Sequence, residues 1–287
     1  MTHVVSSDQR ALAFDRRIPP VLEIDAGDTV SFETNDDAYV RLAAGEPAES
    51  VGMDYINAVT GPVAVRGAEP GDALRIEVLE IRIVRAWSLW VPGFGGLGRF
   101  TAEFRAMQTP IEGDRVRISD RVTVPLQPMI GCIGLAPAAG RGSTMGPVFS
   151  AGGNMDLREL SPGATLWLPV QVPGALLSMS DIHAAMGLSE PTLVGLEAAG
   201  TATLRIDVEK GRRLAFPRLR VGAETICIGI ADTHHEANQH ALDQAYELLT
   251  GEHGMEPFVA YTYASARVGV RLGGPAGAMM LAVVPDP

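Results

Sequence analysis

Lysine, cysteine and long apolar runs are all scarce in this 287-residue sequence. No apolar stretch approaches the roughly 18 residues that a transmembrane helix needs, so we expect no membrane partner. Arg carries nearly all the positive charge and forms no basic run, which argues against a nucleic-acid-binding surface. The first twenty residues have no apolar core behind a basic start, so no secretory signal is predicted. We therefore expect a cytoplasmic protein.

The two cysteines, Cys132 and Cys227, both lie in apolar, strand-like stretches. Two buried thiols in a reducing compartment are the simplest interpretation. A nucleophilic Cys132 is the alternative, although no His or other base lies near it in the sequence.

Aromatic residues make up only 6% of the chain, whereas it has 32 Gly and 20 Pro. This balance favours many short strands joined by tight turns over long helices. The net charge of −11 keeps such a protein soluble, and part of it could line a metal pocket. Strict apolar alternation predicts a strand from Leu74 to Ile83, whereas residues 36–57 read as an irregular polar loop.

The clearest helix runs from about Asp232 to Leu249, with Asp232 or Thr233 as N-cap and Gly251 after its end. A second short helix and a final strand are predicted beyond it. The sequence therefore predicts a mainly β (α+β) fold. We expect residues 1–287 to form one unit of two packed β subdomains, with one or two helices near the C-terminus.

Three polar clusters follow apolar strands, where a rigid scaffold can hold functional side chains. They contain Asn154, Asp156, Arg158 and Glu159; Asp181, His183 and Glu190; and Asn57, Thr60, Glu69 and Asp72. Turn chemistry alone also explains the GAEPGD stretch, and helix capping alone also explains GGNMDLREL.

Asp181 and His183 are separated by one residue, so on an extended backbone both side chains project to one face. They could offer an oxygen and a nitrogen to one metal ion, with Asp156 or Glu190 as a third ligand. A simple strand-end turn with a hydrogen-bonded His183 is the alternative. The HHEANQH stretch lacks the H-E-x-x-H spacing, so a solvated helix face explains it better.

These clusters, in this order, resemble the acetamidase/formamidase family. The matching stretches are VTGPVAVRGAEPGDALRIEVL, PMIGCIGLAPA, GGNMDLREL and LWLPVQVPGALLSMSDIHAAMG, followed by Glu190. The resemblance runs from about residue 21 to 232 and implies a β-rich fold that hydrolyses short aliphatic amides. It also implies a bound divalent metal, Zn²⁺ or Ca²⁺.

The resemblance places site residues one by one. Asp36, Asp156, Asp181 and His183 are the implied metal ligands; Glu190, Glu69, Asn154 and Asn57 are the implied catalytic residues. We expect a glutamate, Glu190 or Glu69, to act as general base and the asparagines to hold an oxyanion. A homo-oligomer is expected because soluble enzymes commonly assemble symmetrically.

One departure from the family pattern concerns the segment after His183. The family continues D-x-H-A-x-x-G-D-G-E, whereas this chain has Leu188 and Ser189 in place of the second Asp and the following Gly. The leading hypothesis is metal-assisted hydrolysis of a small amide to carboxylate and ammonia. The alternative is a divergent metal- or ligand-binding β protein that kept the fold and lost the chemistry.

Overall fold

The structure is a computed structural model that describes residues 1–287, apart from residues 53 and 54, whose side chains it leaves undescribed. Strands dominate it. The strands are β1 (Thr2–Val5), β2 (Arg10–Ala11), β3 (Leu22–Ile24), β4 (Thr29–Thr34), β5 (Val59–Val65), β6 (Ala73–Trp90), β7 (Arg105–Thr109), β8 (Ile111–Glu112), β9 (Arg115–Ser119), β10 (Val122–Pro125), β11 (Met129–Gly134), β12 (Gly152–Asn154), β13 (Thr165–Pro169), β14 (Leu177–Ala185), β15 (Leu196–Glu209), β16 (Arg218–Val221), β17 (Glu224–Ala231), β18 (Gly269–Leu272) and β19 (Ala278–Pro285).

Helices occur in two groups, one near each end of the chain. They are α1 (Asp37–Ala43), α2 (Ala48–Val51), α3 (Met53–Ile56), α4 (His234–Glu247) and α5 (Pro257–Arg267), with a 3₁₀ turn at Gly98–Phe100 and a π-helical turn at Leu248–Glu252. Across the part of the chain that is described, no helix has the length and apolarity to cross a membrane.

Most of the strands join one hydrogen-bonded sheet. Its main path runs β12-β11-β14-β15-β6-β13-β16-β17-β19-β18, and β4, β5 and β7 pair along the side of that path. A second, small sheet contains β8, β9 and β10. The mainly β architecture expected from the glycine- and proline-rich composition is confirmed. The division into two subdomains stays a prediction.

The long strands β6 and β15 form the centre of the sheet. They pair antiparallel from Glu197 opposite Trp87 to Glu209 opposite Ala73. Leu74, Ile76 and Val78 alternate with less buried neighbours and lie in the main apolar core. Burying such side chains stabilises the fold by about 1.5–3 kcal/mol each. The strand predicted for 74–83 is confirmed, and it extends to Trp90.

The prediction of an irregular loop at 36–57 is wrong, because this segment forms α1, α2 and α3. Ala38, Tyr39 and Leu42 of α1 are buried in an apolar cluster with Val51 and Trp87. Their spacing is helical, but helices of four to seven residues are too short to show a periodic pattern in sequence. Tertiary packing rather than helix propensity holds them.

The predicted C-terminal helices are both present. Thr233 caps α4 by accepting a hydrogen bond from the Glu236 N–H, and it donates one to the Glu236 carboxylate. His234 and His235 are exposed, so the solvated-face interpretation of HHEANQH holds for them, whereas His240 is half-buried and stacks on the Phe216 ring. The buried face of α4 packs on β17 and β19.

Candidate functional site

Neighbouring strands of the sheet bring polar side chains to one buried place. Asp181 and His183 belong to β14, Glu197 to β15, and Asn154 ends β12. The strand register places His183 directly opposite Glu197. Asp156 lies two residues beyond Asn154. The sheet thus assembles the site from segments that are far apart in sequence.

His183 lies at the centre of four carboxylates. Its Nε2 is 3.2 Å from Asp181 Oδ1, 3.6 Å from Glu197 Oε2 and 3.9 Å from Asp156 Oδ1. Its Nδ1 is 3.9 Å from Glu190 Oε1. All five side chains are largely withdrawn from solvent. Four acids around one imidazole leave an excess of buried negative charge.

This crowding changes the protonation of the acids. Burial and the neighbouring Asp181 raise the pKa of Asp156 to about 8, and burial with Asp156 raises the pKa of Glu190 to about 10. Burial also raises the pKa of Glu197, and the charge of Asp181 raises it further. Perturbed titratable groups of this kind are typical of functional sites.

Asp181 and His183 behave differently from the other acids. Burial opposes the ionisation of Asp181, but the charge and hydrogen bond of His183 lower its pKa. Burial likewise opposes protonation of His183, yet the charges of Glu197 and Asp181 raise its pKa well above the ordinary value. The ionisation of Asp181 and the protonation of His183 therefore favour each other.

A ring of amide and phenol groups orients the carboxylates. The Asn57 side-chain amide donates to the Thr144 carbonyl (2.8 Å) and to Asn154 Oδ1 (3.1 Å). The Asn154 amide donates to Asp156 Oδ2 (2.7 Å). Tyr39 Oη donates to Glu197 Oε2 (2.9 Å). The predicted asparagines therefore lie beside the site and hold its acids in place.

Two glycines create the space that the site needs. A Cβ on Gly131 would lie 2.5 Å from Asp156 Oδ1 and 2.6 Å from Asp181 Oδ2. A Cβ on Gly195 would lie 2.1 Å from His183 Nδ1. Both distances are far below van der Waals contact. The carboxylates and the imidazole thus occupy the volume that side chains would fill elsewhere in the sheet.

The backbone at three of the acids is left-handed. The φ angles are 44° at Asp156, 56° at Asp181 and 41° at Glu190. Such angles are uncommon for residues other than glycine and cluster at functional sites. The extended backbone assumed for D-x-H is therefore wrong at Asp181, although its side chain still reaches His183.

The donor set fits a divalent cation. Asp156 Oδ1 and His183 Nδ1 are buried and have no hydrogen-bond partner among the residues that the structure describes, which is unusual for native polar atoms. Two overlapping sets share His183: Asp156 with Glu190, and Asp181 with Glu197, and within each set the candidate ligand atoms lie within 4.8 Å of one another. Imidazole nitrogen and carboxylate oxygens are ordinary ligands of Zn²⁺, and carboxylates are ordinary ligands of Ca²⁺.

Two predicted site residues lie elsewhere. Asp36 is buried, but its carboxylate accepts hydrogen bonds from the Arg85 guanidinium and from Trp87 Nε1 (2.8 Å). Glu69 is exposed on a turn, and the structure does not bring it to His183. Turn chemistry explains Glu69, and a charge-assisted pair explains Asp36. Neither contributes to the cluster.

The sequence reasoning missed Glu197 and Tyr39. Glu197 stands within an apolar stretch, LEAAG, at the start of β15, and an isolated acid in such a run is a signal of a buried functional carboxylate. Tyr39 lies in a segment read as a loop, so nothing in the sequence pointed to its contact with Glu197.

The departure at Leu188 and Ser189 leaves the cluster intact. Leu188 is exposed, and Ser189 Oγ donates to the Leu272 carbonyl (3.1 Å). Glu190 is buried immediately after them and reaches His183. The four carboxylates that surround the imidazole are thus present despite the replaced pair.

Cys132 has the properties of a structural thiol. It is fully buried, and its Sγ contacts the Thr144 carbonyl at 3.5 Å. Burial and the charges of Asp181 and Asp156 raise its pKa well above the ordinary value. Because the thiolate is the nucleophilic form, these conditions oppose catalysis by Cys132.

A cavity of about 160 Å³ opens on the cluster. Asp156, His183, Glu190 and Glu197 line it together with apolar side chains from α1 to α3 and from residues 89–104. Polar groups that converge in an otherwise apolar cavity are typical of a small-molecule site.

Comparison with known proteins agrees with this geometry. The model of the Acetamidase/Formamidase family matches residues 6–140 and 129–222. A solved structure described as a predicted acetamidase/formamidase from Thermoanaerobacter tengcongensis is 28% identical, with a TM-score of 0.92, over 99% of this chain and 96% of that one. An acetamidase structure from Bacillus halodurans is 32% identical, with a TM-score of 0.91, over 98% and 97% of the two chains.

A curated formamidase of Methylophilus methylotrophus is 23% identical over a match that covers 67% of this chain. The match spans only 62% of that formamidase. The fold therefore agrees with the solved structures along nearly the whole chain, whereas the curated relative is longer than the region it shares with this chain.

Proposed function

Because this chain belongs to the acetamidase/formamidase family, we propose that it hydrolyses a primary amide to a carboxylate and ammonia. The observation that carries the proposal is the buried convergence of four carboxylates on His183 beside a cavity. The formamidase and acetamidase names of similar proteins support the reaction class.

We further propose a divalent cation, Zn²⁺ or Ca²⁺, held by His183 with three carboxylates from the two sets described above, those of Asp156, Asp181 and Glu197. Such a cation, when bound, would supply Lewis-acid polarisation of the amide carbonyl and ease the deprotonation of water. Asp156 and Asp181 are the proposed ligands that the sequence predicted, and Glu197 joins them. Asp36 is withdrawn from the ligand set.

Glu190 is the proposed proton carrier. Its carboxylate takes a proton from the attacking water, whose oxygen forms a bond to the acyl carbon. As the C–N bond breaks, Glu190 returns that proton to the nitrogen, which leaves as ammonia. The Glu190 carboxyl lines the cavity, and its Oε1 lies 3.9 Å from His183 Nδ1, which places it beside the reacting centre for both transfers.

The neighbouring residues keep these groups in position. Asn57 and Asn154 fix the carboxylates of Asp181 and Asp156, and Tyr39 fixes Glu197. Groups of this kind typically change metal affinity or activity by about 10–100-fold when removed. The cytoplasmic location and the homo-oligomeric state stay predictions from the sequence.

The test is ammonia release from formamide, acetamide, propionamide and larger amides, before and after chelation. We expect chelation to abolish ammonia release and one added cation to restore it. The metal content of the protein is measured in the same samples. Glu190→Gln should lower turnover by about 100-fold or more. Folded, metal-loaded protein that releases no ammonia from any amide would instead indicate the non-catalytic binding protein.

A further inference from the structure

The cavity above the acidic cluster is largely apolar. Its apolar lining includes Leu42, Leu89, Val91, Phe94, Phe104 and Leu193. The same cavity contains the carboxylates and His183, so these side chains face the reacting centre. Phe94 and Phe104 come from the glycine- and aromatic-rich stretch 90–104, which the amide chemistry alone does not use.

The size of this cavity exceeds what a one-carbon acyl group requires. Its volume is about 160 Å³, and a cavity of about 150 Å³ with aliphatic and aromatic walls can hold benzene. Formamide and acetamide offer a hydrogen or a methyl group to such walls. Most of the apolar surface would then contact only water, which gives no binding energy for the reaction.

We infer that the substrate is a primary amide whose acyl group carries an apolar substituent of about the size of a phenyl ring or a branched four-carbon chain. The inference rests on the proposed function and specifies its substrate class. The apolar substituent occupies the cavity between α1 to α3 and residues 89–104, while the amide group reaches the carboxylates and His183. Phe94 and Phe104 determine specificity, since their rings contact the substituent.

The first experiment compares ammonia release from acetamide, isovaleramide and phenylacetamide with metal-loaded protein. Each kcat/KM is divided by the rate of the same amide in hydroxide alone, so that intrinsic reactivity cancels. We expect the corrected value for phenylacetamide or isovaleramide to exceed that of acetamide by at least about tenfold, since a single methylene in a good pocket can contribute that much.

A matched pair of variants then tests whether the apolar side chains that line the cavity determine this preference. Phe94→Ala removes a ring that lines the cavity, whereas Phe100→Ala removes a more exposed ring of the same segment that does not line it. We expect Phe94→Ala to lower the phenylacetamide-to-acetamide preference several-fold, with the change carried by KM. Phe100→Ala should keep the wild-type preference. Equal preferences in all three proteins would overturn the role of Phe94.

The outcomes separate the two proposals. A corrected preference for acetamide over the larger amides overturns the substrate inference and leaves amide hydrolysis standing. Absence of ammonia from every amide, in folded and metal-loaded protein, overturns the proposed function. A higher corrected kcat/KM for acetanilide, whose apolar ring is on the nitrogen and whose hydrolysis is followed by release of aniline instead of ammonia, than for phenylacetamide overturns the assignment of the substituent to the acyl side. The wild-type comparison decides these points even if Phe94→Ala fails to fold.

Discussion

Two buried aspartates of this chain have opposite surroundings. Asp72, in the turn before β6, accepts hydrogen bonds from the N–H groups of Glu69 (2.8 Å) and Gly211 (2.8 Å) and pairs with Lys210 (2.6 Å). Burial opposes its ionisation, but these partners lower its pKa. Asp156 is also withdrawn from solvent, yet one of its oxygens has no hydrogen-bond partner among the described residues, and burial with the neighbouring Asp181 raises its pKa to about 8.

The difference separates a structural acid from a functional one. Both oxygens of Asp72 accept hydrogen bonds from groups of the same chain, so this carboxylate stabilises a turn. One oxygen of Asp156 has no hydrogen-bond partner among the described residues, and other acidic side chains surround it. A bound cation would therefore offset the negative charge of these acids and contact that oxygen. Burial alone therefore does not identify a site. The site is identified by a buried carboxylate oxygen without a hydrogen-bond partner and by the other acids around it.

The largest expected effect is that of Asp156→Asn. Loss of this carboxylate should lower ammonia release by more than about 100-fold, because ligands matter at least as much as the groups that orient them. Bound metal, measured by elemental analysis, should fall in parallel. The metal-free variant should unfold at no lower temperature than metal-free wild type, because a neutral amide replaces a carboxyl group whose ionisation is opposed by burial and by Asp181. Full activity in this variant would remove Asp156 from the site.

Gly131→Ala tests the space between the acids. The added Cβ would lie 2.5 Å from Asp156 Oδ1, so the carboxylates must shift, and activity should fall by about 10–100-fold. Gly269→Ala, at a position where a Cβ meets nothing within 4 Å, is the control. Steady-state kinetics and metal content of both proteins decide the matter. Similar losses in the two variants would show a general loss of stability rather than a local clash.

Asp72→Asn should affect stability instead of catalysis. The variant loses an ion pair with Lys210 and weakens two hydrogen bonds, so we expect the free energy of unfolding to fall by about 1–3 kcal/mol. Denaturant titration measures this change. Ammonia release per folded molecule should equal that of wild type. A catalytic defect without a stability defect would erase the distinction between the two aspartates.

The smallest effect is the pH dependence of that stabilisation. The folded pKa of Asp72 is lowered, so its contribution is complete above the ordinary pKa of about 3.9 for an unfolded aspartate. It is lost as the pH falls through the lowered folded value. The stability difference between wild type and Asp72→Asn should therefore be constant from pH 7 to 5 and shrink below pH 4. A difference that grows in acid would contradict the assignment.

Periodic elements and the site's chain positions could be predicted from the sequence. The alternation of β6 and the capping pattern of α4 each depend on local residues, and both are confirmed. The family motifs placed Asp181, His183 and Glu190 in the chain, and the structure brings them together. Local patterns and motifs are sufficient for such features.

The remaining site residues depend on contacts between distant segments. Strand register places Glu197 opposite His183, whereas hydrogen bonding to Trp87 holds the carboxylate of Asp36 elsewhere. The sequence alone shows neither contact. Gly131 gives no sign in sequence that its missing side chain makes room for two acids. The helices α1 to α3 are too short to be seen as periodic, and tertiary packing alone stabilises them.

The left-handed backbone at Asp156, Asp181 and Glu190 has a consequence for the design of thermostable variants. Each such conformation costs on the order of 1–3 kcal/mol, which the surrounding sheet must offset. Selection for heat resistance alone would therefore favour glycine at these three positions and erase the cluster. Substitutions that raise thermal stability and keep activity are therefore best sought outside these three positions.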